Sequence, residues 1–355
     1  MIEQHFGVLA GTRRRRPGRA TVVLVVLCAV AWSLSVRYSI GQITLSPAGA
    51  YRGLVETDEA SAAEVFAVLA RMPRATMAVL IGGGLGVAGA LLQSLYRNPL
   101  AGPGITGVSP GATTAVIVWV LYGPSLDSTG QVALTPLVAI AGGAVTSLIT
   151  FAIAGLAGRA DPLRLILFGV LLGGLLEVAS QLIMLDAGED AVFIIRWLAG
   201  SIDVVGWRQV RIVAVVLLLL VPFVAYATAL GNVLALGDAL AHGVGVRVGP
   251  ARLTMLFTAA AITAVSVAFV GGMIFVGLIA PHVARRYVGG DLRRLVPAAA
   301  LSGATLVLVA DLVARSVRPA EWGLPFPVSP NTLPTGMVIT VIGAAFFARV
   351  MSTTR

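Results

Sequence analysis

Long apolar stretches alternate with short polar connections along the chain. The length of the apolar stretches indicates whether the chain is a soluble or a membrane protein. A helix needs about 20 apolar residues to cross the hydrocarbon core of a bilayer. Ten stretches approach that length. The pattern therefore predicts an all-α, polytopic membrane protein with about ten transmembrane helices. The predicted spans are residues 20–41, 76–96, 108–123, 132–157, 163–186, 209–230, 251–270, 272–288, 296–316 and 333–351.

The same pattern divides the chain into two parts. Residues 1–19 form a basic N-terminal segment, and residues 20–355 form a transmembrane domain that contains a polar loop at 231–248. The third and eighth spans, 108–123 and 272–288, are short for a bilayer. Tilting or support from neighbouring protein allows such segments.

Composition agrees with a membrane protein and excludes several functions. The chain is 57% hydrophobic and only 12% charged, whereas soluble domains are about 25% charged. All 25 basic residues are arginine, so a phosphate-binding loop that needs lysine and a lysine Schiff base are both excluded. Cys28 is the single cysteine, so no disulfide can form within the chain.

The distribution of arginine predicts the orientation in the membrane. If ten helices alternate from a cytoplasmic N-terminus, the inner side holds 16 of the 25 arginines and four of the 16 acidic residues. An excess of arginine marks the cytoplasmic side. Both termini are therefore expected in the cytoplasm. The net charge of +9 does not indicate nucleic acid binding, because the arginines are spread between apolar spans.

The other nine arginines fall at the outer side and are exceptions to this pattern, among them Arg71, Arg74, Arg315 and Arg318. Arg71 and Arg74 precede the second span, and Arg315 ends the ninth. They either anchor helix ends at the lipid headgroups or form a basic rim that docks an acidic partner. Arg315 also lies four residues after Asp311 on one helix, so an ion pair between the two is expected.

Several motifs, taken together and in order, resemble one known family. They are Arg-Met-Pro-Arg at 71–74, the stretch from Gln93 to Ala112 with its Asn-Pro-Leu-Ala-Gly core, Leu-Gly-Asp-Ala-Leu-Ala within 232–246, Pro-His within 275–285, Asp-Leu-Val-Ala-Arg at 311–315, and Leu-Pro-Thr-Gly at 333–336 with 342–347. The set resembles the FecCD-like permease subunits of type II ABC importers for iron–siderophores, haem and cobalamin. The sequence departs from the family pattern at Thr332 and Ala345.

This resemblance implies an activity and a set of partners. It implies the type II ABC importer permease fold and a location in the bacterial cytoplasmic (inner) membrane. Two permease subunits, identical or related, would enclose a pathway, with two ATPase subunits inside and a substrate-binding protein outside. A ferric siderophore is the expected substrate, ahead of haem and cobalamin. The chain itself is then expected to be no enzyme and to need no cofactor.

The polar loop at 231–248 is the predicted contact with the ATPase. Leu236, Leu240 and Val244 recur at intervals of four, as on one face of a helix that docks in a groove, and Gly237 and Gly245 allow corners. The resemblance implies two short helices here and adds Asp238 and Ala241 to the coupling residues. An ordinary amphipathic surface loop is the alternative.

The resemblance also gives the outer arginines a role. In the family, arginines that match Arg71, Arg74 and Arg315 meet acidic residues of the substrate-binding protein. Bidentate contacts between arginine and carboxylate orient a partner as well as attract it. These three residues are therefore the predicted docking site.

The fifth span carries polar residues inside the membrane. Gly169, Gly173, Glu177 and Gln181 follow one another at intervals of four, which predicts a shared face. A charge within the membrane is costly and normally faces protein or water. Glu177 and Gln181 are therefore predicted to line either the translocation pathway or a buried partner.

Two further features are interpreted structurally. Gly82, Gly86 and Gly89 on the second span predict close helix packing, since small residues let backbones approach in lipid. His282 lies in an apolar helix far from the other histidines along the chain, so it predicts a structural group and no metal site.

Two other classes of function remain open on the residues alone. A secondary transporter would need a discontinuous helix pair with carboxylates at the membrane midplane, and Glu177 supplies one candidate. A membrane enzyme would need several catalytic groups at one depth, for which His282 and Glu177 are insufficient. Two measurements distinguish the permease, the secondary transporter and the enzyme. One is whether uptake depends on a separate ATPase, and the other is whether the purified protein converts a substrate.

Overall fold

The protein is helical throughout the part of the chain that the structure describes. A computed structural model describes residues 17–37, 61, 64–65, 67–104, 107–124, 128–156, 162–185, 197–202, 205–317 and 333–353. In these residues it has eleven α-helices, which are α1 Pro17–Arg37, α2 Met72–Leu95, α3 Val108–Tyr122, α4 Ser128–Leu156, α5 Pro162–Met184, α6 Trp207–Ala235, α7 Asp238–Gly243, α8 Val248–Val270, α9 Val276–Val288, α10 Leu292–Ser316 and α11 Thr335–Thr353. A π-helical turn, Ala67–Arg71, leads into α2.

Each predicted span corresponds to one of these helices, but the number that cross a bilayer is a separate question. Six segments are long and apolar enough to do so, namely Val68–Leu95, Leu134–Ile153, Leu167–Met184, Trp207–Ala235, Val248–Val270 and Leu292–Ser316. Three shorter apolar helices lie at Ala20–Val36, Val108–Tyr122 and Thr335–Arg349, and the 13-residue α9 is in neither group. The all-α membrane class is therefore confirmed, and the count of ten spans stays a prediction.

The core is built around α2, which packs against α8, α9 and α10. Glycine makes this possible, because a Cβ at Gly82 would collide with the Gly303 carbonyl and one at Gly86 with the Ala299 carbonyl, both on α10. A Cβ at Gly89 would strike the backbone of Gly277 on α9. The predicted packing role of these glycines is thereby confirmed.

Other helices lie at the periphery. α1 and α6 expose rows of large apolar side chains, including Val22, Val26, Leu218, Leu219 and Phe223. Such large exposed aliphatic surfaces are expected to contact lipid tails, because their exposure to water is unfavourable. The predicted cytoplasmic segment 1–19 lies mostly outside the described residues, because these begin at Pro17.

Candidate functional sites at the two ends of the helices

One end of the molecule is organised around Asp311, near the C-terminus of α10. Its side chain is fully buried. Arg74, in the first turn of α2, contacts it through two nitrogens: Nη2 lies 2.8 Å and Nε 3.0 Å from Oδ1. Arg315 Nη2 lies 3.0 Å from Oδ2, and the Thr335 hydroxyl donates to Oδ1 at 3.0 Å. The expected pair of Asp311 and Arg315 is therefore confirmed.

Four helices meet at this carboxylate. Arg315 also donates to the side chain and carbonyl of Ser35 on α1, while Thr335 begins α11. Two guanidinium groups thus share one buried carboxylate, and charge-assisted hydrogen bonds join α1, α2, α10 and α11. We call Asp311, Arg74, Arg315, Thr335 and Ser35 the Asp311 cluster.

The predicted docking residues lie in or beside this cluster. Arg74 and Arg315 point at Asp311, and their side chains are only 14% and 8% exposed. Arg71 closes the π-helical turn before α2 and is buried as well. The sequence identified Arg315 as a partner of Asp311 through their i, i+4 spacing. It gave no signal for the contribution of Arg74, which comes from 237 positions away.

At the opposite end, the short helix α7 is held by a second charged group. Asp238 begins α7, and its carboxylate lies 3.0 Å from Arg252 Nη2 on α8 and 3.4 Å from Arg97 Nη2. Arg97 follows α2 directly and adopts φ 49°, a left-handed conformation that ends a helix. Its Nη2 also donates to the Leu234 carbonyl in the last turn of α6 at 2.8 Å. Arg97 and Arg252 were not predicted, because their roles depend on tertiary contacts.

Helix α7, with Leu236 before it and Val244 after it, presents an apolar surface outward. Leu236, Leu240 and Val244 are 65%, 61% and 69% exposed, whereas Ala241 on the opposite side is fully buried. Gly237 and Gly245 bound the helix with φ of 107° and 82°, a region that favours glycine. This is the geometry of a helix that can dock in a groove.

The loop differs from the prediction in two respects. Helix α6 continues to Ala235, so the first five residues of the predicted loop 231–248 are helical. Only one short helix follows, Asp238–Gly243, where the resemblance implied two, and α8 begins at Val248.

Asp291 caps the N-terminus of α10 and contacts Asn232 near the end of α6. Its Oδ1 accepts hydrogen bonds from the Arg293 backbone N–H at 2.9 Å and from the Asn232 amide at 2.8 Å. Asn232 in turn accepts from the Leu292 N–H. The bond from Arg293, the amide of Asn232 and the charges of Arg293 and Arg294 lower the pKa of Asp291. The ends of α6 and α10 are thereby joined.

The predicted polar face of α5 is divided in the structure. Gly169 and Gly173 are buried against α3, and the Ser180 hydroxyl lies 2.8 Å from that of Thr114. Glu177 and Gln181 are exposed on the same helix. Each step of four residues rotates by about 40° around a helix, so the three steps from Gly169 to Gln181 add up to about 120° and do not stay on one face. The contact with α3 therefore leaves Glu177 and Gln181 at the edge of the packed face.

His282 makes a ring contact. Its imidazole meets the ring of Phe346 on α11 edge-on, with centroids 5.3 Å apart. No group of three metal-binding side chains occurs among the residues described.

The chain is similar to proteins of one transport family over nearly its whole length. The sequence model of the FecCD transport family matches residues 23–353. The Fe(3+)-citrate import system permease protein YfmE of Bacillus subtilis is 34% identical, over 94% of this chain and 95% of its own length. The Fe(3+) dicitrate transport system permease protein FecD of Escherichia coli is 38% identical, over 78% of this chain and 82% of its own.

A solved structure supports the same relationship. A metal-chelate type ABC transporter in an inward-facing conformation superposes with a TM-score of 0.71 at 27% sequence identity. The alignment covers 95% of this chain and 99% of the other.

Proposed function

The chain belongs to the FecCD transport family, and we propose that it is the permease subunit of an ATP-driven, binding-protein-dependent importer of a ferric siderophore. Relatives that are a third identical are permease proteins for iron(3+)-citrate, achromobactin and iron(3+)-hydroxamate. These substrates are iron chelates, which is why we place siderophores ahead of haem and cobalamin.

The observation that carries the proposal is the exposed apolar surface of α7. Three large aliphatic side chains are exposed here: Leu240 lies on the six-residue helix α7, and Leu236 and Val244 flank it. The charged residue of this helix, Asp238, is fixed by Arg97 and Arg252. Exposed apolar side chains on a rigid polar base are typical of a docking helix. An ATPase subunit that receives Leu236, Leu240 and Val244 would find them already oriented.

The proposed assembly contains five chains. Two permease subunits, identical or related, enclose the pathway, and two ATPase subunits bind α7 from the cytoplasm. A substrate-binding protein delivers the chelate from outside. The permease spans the inner membrane about ten times with both termini in the cytoplasm. ATP is hydrolysed on separate chains, and this permease uses no cofactor or metal of its own.

The structure suggests how movement of α7 is transmitted. Arg97 connects α7 to the end of α2 and to the end of α6. Helix α2 is buried along most of its length and carries Arg74 at its other end, about 35 Å away for 24 helical residues. A displacement of α7 would therefore reach the Asp311 cluster through one well-packed helix.

Docking of the substrate-binding protein is assigned to Arg71, Arg74 and Arg315. Two of these already bind Asp311, so an incoming carboxylate would share them with that residue. Replacement by glutamine keeps most of the polar volume and avoids a second acid beside Asp311. Weaker binding of the substrate-binding protein with unchanged ATPase association supports this docking site, and unchanged binding opposes it.

The test of the function is reconstitution in vesicles with the ATPase and substrate-binding protein that belong to this permease. ATP on the side of the vesicle membrane that carries the ATPase should drive transport of a radioactive ferric siderophore across that membrane. An ATPase variant that binds but cannot hydrolyse ATP is the control. Accumulation that survives this variant and collapses with a proton or sodium ionophore would identify a secondary transporter instead.

A further inference from the structure

The exposed surface of α5 consists of two different stripes. Beside the face packed on α3 run Val170, Gly174, Glu177 and Gln181. Val170 is an exposed aliphatic residue, and we call this line the polar stripe because it holds Glu177 and Gln181. Further round are large aliphatic side chains only: Leu167, Leu171, Leu175, Val178 and Leu182. A Cβ at Gly174 would meet no atom of this chain within 4 Å, so no other described helix of the chain covers this part of the stripe.

Helices α1 and α6 lack such a stripe. Along the exposed face of α6 between Val215 and Ala229, every side chain is apolar apart from the hydroxyl of Tyr226. Helix α1 exposes valine, leucine and alanine from Val22 to Val30. Peripheral position therefore does not explain the carboxylate on α5. The two kinds of surface indicate lipid at α1 and α6 and a different neighbour at the polar stripe.

The position of Glu177 makes lipid contact expensive. It lies seven residues from the end of α5, which is about 10 Å along the axis. A charged group within a membrane costs about 2.5–3.5 kcal/mol or more unless it faces water or protein. Glu177 forms no hydrogen bond or ion pair with any residue that the structure describes. Its carboxylate is therefore expected to face water or another subunit, and a water-filled pathway between two subunits would supply the water.

We propose that Glu177 is a specificity-determining residue that makes the pathway select for positively charged iron chelates and against polyanionic ones. The proposal rests on the permease function above. Where two identical subunits enclose the pathway, each contributes a carboxylate, and the pair attracts a cation and repels an anion from both sides. Gln181, one turn along the same stripe, offers a neutral amide that can donate to or accept from the chelate.

Chemistry then narrows the substrate class. Three hydroxamate groups, each with one negative charge, neutralise Fe(III), and a free amine on such a ligand makes the complex cationic. Citrate and catechol ligands leave the iron complex with net negative charge. A carboxylate in the pathway therefore favours an amine-bearing hydroxamate chelate over ferric citrate or a ferric catecholate.

The electrostatic part can be measured on the full chain in its membrane without knowledge of its partners. In a Cys28→Ala background, Gln181→Cys places a thiol one turn from Glu177. Its rates of modification by two water-soluble methanethiosulfonates, one with a trimethylammonium group and one with a sulfonate group, are then compared. We expect the cationic reagent to be favoured, and Glu177→Gln to reduce the ratio of the two rates about threefold to tenfold.

Control variants distinguish an effect of the Glu177 charge on the modification rates from an effect of altered structure. Glu177→Asp should keep the ratio, and Leu171→Cys on the aliphatic stripe should react much more slowly with both reagents. A thiol at 181 that reacts with neither reagent, a ratio that Glu177→Gln leaves unchanged, or equal reactivity at Leu171→Cys would each overturn the proposal.

Uptake by the reconstituted importer is the second measurement. With the substrate-binding protein saturated by each chelate in turn, Glu177→Gln should lower the ratio of cationic to anionic chelate uptake by a similar factor. Equal loss for both chelates would indicate a structural role and refute the selection. If the unaltered importer takes up no chelate in the presence of ATP, the permease function itself is refuted. Failure of the selection by Glu177 and failure of the permease function therefore give different results.

Discussion

Arg74 Nη2 lies 2.8 Å from Asp311 Oδ1, although 237 positions separate the two residues in the sequence. The contact joins the first turn of α2 to the last turns of α10, and Arg315 binds the second oxygen of the same carboxylate. A fully buried aspartate is stable here only because two guanidinium groups and a hydroxyl surround it.

The first prediction concerns this carboxylate. Asp311→Asn keeps the shape of the side chain but leaves Arg74 and Arg315 largely buried without their anionic partner. Breaking a buried ion pair on one side costs about 3–5 kcal/mol. We therefore expect a clear fall in the thermal unfolding midpoint of the detergent-solubilised protein, measured through the burial of Cys28 with a thiol-reactive dye.

A matched control comes from the other end of α2. Asp238→Asn removes a carboxylate that also faces two arginines, but its side chain is 48% exposed. Exposed pairs contribute about 0–1 kcal/mol, so this variant should unfold within a few degrees of the parent. Equal losses for the two variants would contradict the importance of burial at Asp311.

The second prediction tests the close approach of α2 and α10. At Gly86 a Cβ would overlap the Ala299 carbonyl, whereas at neighbouring Gly83 it would make ordinary contact, 3.6 Å from the Ala300 oxygen. Gly86→Ala should therefore destabilise the protein by about 1–3 kcal/mol through overpacking. Gly83→Ala, on the same helix, should be neutral or slightly stabilising, because alanine loses less conformational entropy than glycine on folding. Unfolding midpoints in detergent compare the two.

These features differ in how far the sequence predicts them. The helices follow from the length of the apolar runs, and the small residues of α2 follow from their spacing at Gly82, Gly86 and Gly89. The pair of Asp311 and Arg315 is local, so its spacing predicts it. Leu236 and Leu240 are exposed, but the chain turns at Gly237 between them, so their spacing of four does not place them on one helix; their role as anchors stays a prediction.

Contacts between distant segments escaped prediction for a physical reason. Arg74 and Arg97 meet their partners only after α2 has packed against α10 and α6, and no local pattern records that geometry. Glu177 was placed on one face with Gly169 because the spacing of four suggests it. Each step of four residues rotates by about 40°, and Gly169 and Gly173 form the contact with α3, so Glu177 lies at the edge of the packed face.

The third prediction is a pH dependence at Asp291. The hydrogen bond from the Arg293 N–H, with help from Asn232 and the nearby arginines, lowers the pKa of Asp291 in the folded protein below the ordinary value of 3.8. A carboxylate with a lowered folded pKa stabilises the protein above its unfolded pKa, and this stabilisation is lost as the pH falls through the folded pKa. Asp291→Asn lacks this titration.

The experiment compares the two proteins across pH. At neutral pH the parent should unfold at a higher temperature than Asp291→Asn, and the difference should shrink as the pH falls below about 4. Asn232→Ala removes one donor to the carboxylate and should move the transition upward in pH. A difference that stays constant down to pH 2 would contradict the assignment.

The fourth prediction separates the two contacts of Arg97. Arg97→Ala removes both the donor to the Leu234 carbonyl and the ion pair with Asp238. Nη2 of Arg97 makes both contacts, and Arg97→Lys keeps the charge near Asp238 but carries it on a shorter side chain, which should not reach both groups. If orientation of α7 matters, each variant should lower transport per ATP hydrolysed, with alanine worse than lysine. Coupling that equals the parent's in both variants would exclude Arg97 from the transmission path.

The last prediction addresses the docking surface itself. Leu236→Ser with Leu240→Ser removes two exposed apolar anchors, and because neither side chain is buried, the unfolding midpoint should change little. Loss of anchors at the centre of an interface costs about 1–2 kcal/mol or more each, so ATPase binding should weaken at least tenfold. Copurification and ATP-dependent uptake report the two effects. As a control, Leu218→Ser with Leu219→Ser on exposed α6 removes the same side chains from a surface assigned to lipid. If that pair lowers ATPase binding as much as the α7 pair does, the docking surface is not α7.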